Sequence, residues 1–302
     1  MIKMFVALLC SGTLLFAQSG PQPRIESNVL YGMYSGLALL MDVYYPENPN
    51  GYGVIFISGS GWHATQEYNA EPLKQGSQAR LYGPRLTAAG YTVFSISHRA
   101  APRFRYPAPV EDAQRAVRFV RHNAGQFHVR ADRIGAVGGS SGGHLVESLG
   151  VLDGAGIEDD PDPVNPESAK VQCVVARAAP ADLARMRVAE FMGMNPPGPK
   201  DRNTVEDRVY REASPIRHVS PSSAPILLMR RGHNCADRAI GNDGESAAGG
   251  RRTHSPFADS GRRAWPDVRW RNKSSRLHGR DGSLAGPVFE AVGRPPIMSE
   301  NG

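Results

Sequence analysis

This 302-residue sequence predicts an α/β fold: a mostly parallel sheet flanked by helices. Three observations lead there. Between Val54 and Leu149, strand-like runs alternate with helix-like segments, the order that builds a parallel sheet through crossover helices. Val54-Ile55-Phe56-Ile57 is apolar throughout rather than alternating, as a strand covered on both faces is. A further run, Arg133 to Val137, passes directly into Gly138-Gly139-Ser140-Ser141-Gly142-Gly143-His144, and Leu145 to Leu149 can continue as helix.

Each element has its own signal. Asn28–Met33 and Leu37–Tyr45 read as strands; in the second, Leu37, Leu39, Met41, Val43 and Tyr45 share one face. Pro46 to Gly51 is a turn. Val54–Ile57 ends in Ser58-Gly59-Ser60-Gly61-Trp62-His63. A short helix is expected from Gly83 to Ala89, with Pro84 in its first turn and Gly90 closing it. Tyr91–Ser97 is the next strand. Pro109 to Ala124 is the clearest helix: Val110, Ala113, Val117 and Val120 form an apolar stripe, with Arg115, Arg118 and Arg121 away from it. After a Pro- and Asp-rich excursion from Ala155 to Ser168, Val171–Ala176 reads as a strand with Cys173 as a small buried side chain. Ala181–Met192 reads as a helix, Pro196–Asn203 as a loop and Pro225–Met229 as a strand.

Composition restricts the function classes. Residues 1–17 have a basic start, a short apolar core and a small residue before the expected cleavage, which reads as a secretory signal peptide. That run is too short for a membrane span, and no later segment is long and apolar enough to be one. The expected location is therefore periplasmic or extracellular. The net charge of +6 is not spread evenly: residues 230–302 hold 13 Lys and Arg against 8 Asp and Glu, and the preceding residues hold 22 against 21. A nearly neutral folded part argues against a nucleic-acid partner. No spacing of His, Cys or carboxylates suggests a metal site, and no organic cofactor is implied. Cys10 leaves with the signal, and nothing supports a disulfide between Cys173 and Cys235.

The chemistry is expected at the glycine-rich turn. Gly139-Ser140-Ser141-Gly142-Gly143 satisfies G-x-S-x-G between a strand and a helix, the context of a nucleophile elbow with Ser141 as nucleophile. Glycines flank such a serine because the two chain ends pass too closely for Cβ atoms. The oxyanion donors expected with Ser141 are the backbone N–H of Gly142 and those of Gly59 and Ser60, in the loop after an earlier central strand.

Over about two-thirds of its length, residues 28–229, the chain resembles the α/β-hydrolase superfamily. It is most similar to its bacterial secreted esterases, the acetyl-esterase, feruloyl-esterase and hormone-sensitive-lipase-like branch. The matching stretches are Ser58–Trp62 where that family has H-G-G-G-W, Tyr91–His98, Tyr106–Asp112, Arg133–His144 and Ala213–Pro221. The resemblance implies an α/β-hydrolase fold, a Ser-His-Asp triad and a small-molecule or polysaccharide-linked ester as substrate. Ser58 and Ser60 depart from the family's His and Gly, which leaves backbone donation intact. His63, His98 and His144 do not fit the chain order Ser, acid, His.

Residues 25–229 are thus expected to form an incomplete hydrolase domain. Beyond Met229 the resemblance implies an H-G-D-x-D-x-x-V-P motif and then G-G-G-H-G, which supply the triad acid and base. The chain reads instead Arg230-Arg231-Gly232-His233-Asn234-Cys235-Ala236-Asp237, followed by a Gly-, Ser- and Arg-rich segment. A one-base shift of codons compatible with these residues can restore both motifs in order. Residues 230–302 are therefore read as out of frame, the alternative being a native disordered tail. The sheet's last strands and helices are then missing or disordered, and the triad Asp and His are unidentified. Asp237 or Asp243 with His254 or His278 would keep the order but have no elements to place them. Two rival readings stand beside an impaired esterase: an inactive hydrolase-fold remnant or binding protein, and a peptidase of the prolyl-oligopeptidase type.

Overall fold

The computed structural model describes residues 23–198 and 203–229, together with the backbone of two short strands farther on, 269–273 and 288–292. The first 22 residues, and with them the expected signal peptide, lie outside the described residues. So does the rest of 230–302, including the two stretches, 232–237 and 261–266, in which a shifted frame restores the expected motifs.

The elements are β1 (Arg24–Tyr34), β2 (Leu37–Tyr45), β3 (Gly53–Ile57), α1 (Ser77–Ala88), β4 (Thr92–Ile96), α2 (Ala108–His122), β5 (Ile134–Gly139) and α3 (Ser141–Val151). They continue as β6 (Val174–Arg177), α4 (Ala189–Met192), α5 (Val205–Glu212), β7 (Ile226–Met229), β8 (Arg269–Lys273) and β9 (Val288–Val292). Seven strands form one sheet in the order β1-β2-β4-β3-β5-β6-β7. β1 and β2 join antiparallel, and β2 meets β4 antiparallel. From β4 through β3, β5 and β6 to β7 every pairing is parallel. This is the α/β-hydrolase arrangement, with β5 and its elbow near the middle of the sheet.

Burial explains which helices are legible. On α2, Val110, Ala113, Val117 and Val120 are buried against the core, as the apolar stripe predicts. The opposite arginines pin the excursion after α3. Arg115 donates to the Asn165 side chain at 2.6 Å and Arg118 to the Glu167 carbonyl at 3.0 Å, while Arg121 donates to the Ser168 carbonyl. α1 begins at Ser77, not Gly83, so Pro84 lies inside it. Its buried stripe is Ala79, Gly83 and Thr87. These residues carry little hydrophobic signal; their small size lets the helix lie on Tyr44, whose ring would be 3.2 Å from a Cβ at Gly83.

Four further expectations are corrected. Ala181–Met192 is not one helix but a 3₁₀ turn, Leu183–Arg185, and the short α4, separated by residues including the extended Met186. α5 lies where no helix is expected, although Thr204 caps it by accepting from the Asp207 N–H at 3.1 Å, a capping-box spacing present in the sequence. Cys173 is exposed, because β6 begins one residue later and Val171 and Val174 take the inward positions. Strands occur beyond Met229, where none is expected: β8 and β9 pair antiparallel as a separate two-stranded sheet.

One buried ion pair ties the front of the sheet to the loop that leads into α1. Lys74 Nζ lies 2.5 Å from Asp42 Oδ1, and both side chains are almost wholly buried. Asp42 also accepts from the Asn28 N–H at 3.0 Å and from Gln75 at 3.1 Å. Removing one charge would strand the other in the interior. Lys74→Met is expected to lower the unfolding free energy by about 3–5 kcal/mol, measured by urea denaturation. The double variant Asp42→Leu/Lys74→Met is expected to lose less, since no lone charge remains.

Candidate active site

β5 ends at Gly139 and α3 begins at Ser141, so the single residue between them must reverse the chain. That residue is Ser140, with φ 53° and ψ −124°. Non-glycine residues adopt such a conformation only when their surroundings enforce it. The enforcement is a close approach of backbones. A Cβ at Gly142 would overlap the Ile57 carbonyl at the end of β3, and one at Gly138 would overlap the Gly142 carbonyl. The Ser140 N–H donates to the Arg177 carbonyl at 2.8 Å, and its carbonyl accepts the His144 N–H at 3.1 Å.

The apex is therefore Ser140, which corrects the expectation for Ser141. Ser140 is exposed. Ser141 is 1% exposed, and its Oγ accepts the Ser60 N–H at 2.8 Å. The repeated glycines and serines conceal a second register in the sequence: Gly138-Gly139-Ser140-Ser141-Gly142 also satisfies G-x-S-x-G. The signal that separates the two is where the strand ends, and β5 ends one residue before Ser140.

The residue after the apex is Ser141, whose N–H leads α3 and has no intrahelical acceptor. Gly142 is buried against the β3 backbone. The Gly59 N–H donates to Gln78 Oε1 at 3.2 Å, and the Ser60 N–H is the one held by Ser141. Gly61, next in that loop, is exposed with φ 67°. The loop and the elbow thus meet as the sequence implies, but with Gly59 and Ser60 already engaged.

Behind the turn is a buried polar and aromatic support. His144 is fully buried; its Nδ1 accepts the Trp62 Nε1–H at 3.2 Å and its Nε2 lies 2.8 Å from the Ala213 carbonyl. That pattern requires the neutral Nε2–H tautomer. Trp62 stacks on Phe191 with ring centroids 4.6 Å apart. His144 thus ties Trp62, in the loop after β3, to the Ala213 carbonyl. Burial lowers its pKa to about 4, against the hydrogen bond to Ala213, which acts in the other direction.

The other histidines near the motifs do not reach Ser140. His98 is buried with Nδ1 2.8 Å from the Arg99 carbonyl. His63 bonds the Gly61 carbonyl at 2.9 Å and pairs with Glu190 at 2.9 Å; these contacts raise its pKa, the Gly61 bond most. Asp237, Asp243, His254 and His278 lie outside the described residues. No cluster of His, Cys, Asp and Glu that could hold a metal ion occurs among the described residues, and no helix there is long and apolar enough to cross a membrane. Glu147 on α3 is buried with neither carboxylate oxygen hydrogen-bonded among the described residues, and burial raises its pKa to about 7.

Several known proteins similar to this chain are named esterases. The BD-FAE family profile matches residues 41–242. The chain is 27% identical over 220 residues to "Esterase LipC" of Mycobacterium tuberculosis, covering 68% of this chain and 50% of that protein. It spans about half the length of the curated esterases it matches over the longest stretches. Among solved structures, an acetyl ester-xyloside bifunctional hydrolase from Caldicellulosiruptor lactoaceticus superposes with a TM-score of 0.56 at 23% identity, covering 70% of this chain and 75% of that one. A truncated carbohydrate esterase from gut microbiota gives 0.56 at 26% identity, covering 69% and 77%.

Two buried groups give opposite pH signatures. The native pKa of His144 lies below its unfolded value of 6.5, so its contribution is complete above pH 6.5 and is lost as pH falls toward 4. The stability advantage of wild type over His144→Gln is expected to shrink by about 3 kcal/mol over that interval, read by urea denaturation at each pH. The native pKa of Glu147 lies above its unfolded value of 4.5, so its neutral form favours folding at low pH and stability is lost as pH rises toward 7. Glu147→Gln is expected to gain stability relative to wild type across that rise in the same titration.

Proposed function

The chain belongs to the BD-FAE family, and from that premise we propose that it is a serine carboxylic-ester hydrolase whose nucleophile is Ser140. The observation that carries this reading is the exposed Ser140, held at φ 53° and ψ −124° between β5 and α3. Such a turn presents its hydroxyl to the solvent above the sheet and directs the next N–H, that of Ser141, toward the same space.

In the proposed reaction Ser140 Oγ attacks the ester carbonyl carbon and its proton passes to a base. The tetrahedral oxyanion is stabilised by the Ser141 N–H at the start of α3, with the Gly61 N–H as the candidate second donor. The carbonyl reforms, the C–O bond to the alcohol breaks, and the alcohol leaves with the proton. Water then attacks the acyl-enzyme, releasing the acid and restoring Ser140. Ser141 contributes differently, because its Oγ holds the Ser60 N–H and so keeps the loop against the elbow.

The base is the weak point of this chain. None of the described histidines has Ser140 as a hydrogen-bond partner. The acid and base implied by the resemblance belong to the region after Met229. We therefore propose that the chain as written is impaired and that residues 230–302 are out of frame; the nucleotide sequence tests this directly. That no described histidine partners Ser140 is also what favours the second reading, a catalytically silent hydrolase-fold protein. The carbohydrate esterases among the structural neighbours support an acyl group on a carbohydrate as substrate. The N-terminal run supports export, and the place of action we propose is outside the cytoplasm.

Turnover of p-nitrophenyl acetate is the test, on the chain as written and on a frame-restored version. The written chain is expected to be nearly silent and the restored one active. In the restored protein Ser140→Ala is expected to lower kcat by at least about 10⁴-fold, on the scale of nucleophile removal in serine hydrolases. Ser141→Ala is expected to retain most activity. Loss with Ser141→Ala alone would move the nucleophile back to Ser141, and full activity in both variants would end the serine mechanism.

A further inference from the structure

A cavity lies along the segment between β4 and α2, and none of the residues in the proposed chemistry lines it. The segment between β4 and α2, residues 97–107, leaves the carboxyl end of the sheet, where open α/β sheets form their ligand crevices. Backbone hydrogen bonds fasten it to the loop that follows Ser60: the Ala101 N–H donates to the Trp62 carbonyl at 2.8 Å and the Ala64 N–H to the Ala101 carbonyl at 3.0 Å. The Tyr106 N–H donates to the carbonyl of Phe191, the residue stacked on Trp62. Through that loop, which Ser141 holds at the Ser60 N–H, the segment that lines the cavity is tied to the elbow.

The cavity has a volume of about 500 Å³, and Tyr34, Phe104 and Tyr106 are its aromatic walls. Its charged groups fall into two sets. Arg99 is buried and already satisfied: it binds Asp112 through two nitrogens, donates to Glu111 at 2.9 Å, and lies 4.0 Å from the Tyr34 ring centroid. Glu111, the acid in the wall, shares the single positive charge of Arg99 with Asp112, so these three groups together carry −1 against the two exposed arginines of the wall. Arg103 and Arg105 are exposed, and neither has a carboxylate partner among the described residues. Arg103 lies 5.3 Å from the Phe104 ring centroid. Gly193 leaves room for Arg105, since a Cβ there would come within 2.6 Å of Arg105 Cδ.

Two unpaired guanidiniums among aromatic rings are complementary to a carboxylate carried on a ring. The planar fork of arginine matches a carboxylate, and the aromatic faces supply apolar area for the ring itself. We infer that this cavity binds a uronic-acid residue of the carbohydrate that carries the ester. The inference rests on the carbohydrate-ester reading above and extends it to acidic polysaccharides.

Isothermal titration calorimetry of the full chain with trigalacturonate, xylotriose and benzoate tests it without turnover. Trigalacturonate is expected to bind more tightly than either of the others. Arg103→Ala/Arg105→Ala is expected to weaken trigalacturonate about tenfold, the loss of about one charge-assisted hydrogen bond, and to leave xylotriose unchanged. Arg103→Lys/Arg105→Lys, which keeps the charge without the fork, should fall between. Equal affinity for trigalacturonate and xylotriose, or a double alanine variant that binds trigalacturonate as wild type does, overturns the inference. Benzoate binding as tightly as trigalacturonate overturns its carbohydrate part. Failure here and failure of the esterase reading separate cleanly: binding without turnover by the frame-restored protein keeps the cavity and sinks the reaction, and turnover without binding does the reverse.

Discussion

The close approach of α3 to the end of β3 is the constraint on which the rest of the site depends. With glycine at positions 138 and 142, backbone packs directly on backbone, and Gly142 sits against the Ile57 carbonyl. The chain can then leave β5 and enter α3 through one residue, and that residue has to take a left-handed φ. Such strain costs of order 1–3 kcal/mol. It is offset by α3, whose eleven residues are all buried, and by the hydrogen bond from Ser140 N–H to Arg177. A larger residue at either glycine would remove the contact that holds the strain in place.

The loops around the turn are fixed by polar groups rather than by apolar packing alone. Trp62 is held from one side by Phe191 and from the other by His144. Arg99 with Asp112 ties the segment after β4 to α2, and Lys74 with Asp42 ties the segment before α1 to the sheet. Buried pairs of this kind add little net stability over apolar substitutes, but each is costly to break singly. Arg99 also lines the cavity walled by Tyr34, Phe104 and Tyr106.

Legibility in the sequence follows the strength of the apolar pattern. α2 is readable because its buried face is Val and Ala at helical spacing. The start of α1 is hidden because its buried face is Ala79, Gly83 and Thr87, chosen for size and not for hydrophobicity. α5 has its cap at Thr204 but only Val205, Val209 and Tyr210 as apolar residues. The helix expected over Ala181–Met192 has adequate composition, yet the chain breaks it and brings Phe191 onto Trp62. Cys173 looks internal because its neighbours are apolar, and one residue of strand register turns it outward.

By itself the sequence determined the parallel sheet, the glycine-rich turn between β5 and α3, and the pairing of that turn with the Ser58–Trp62 loop. Those follow from composition and order, which are local. It did not determine which serine stands at the apex, because Gly-Gly-Ser-Ser-Gly-Gly satisfies the elbow pattern in two registers. Only the tertiary structure decided it. β3 and β6 set where β5 stops, and Gly142 docks on Ile57. From those two contacts Ser140 is left as the strained, exposed residue, and the hydroxyl of Ser141 turns inward to hold the loop.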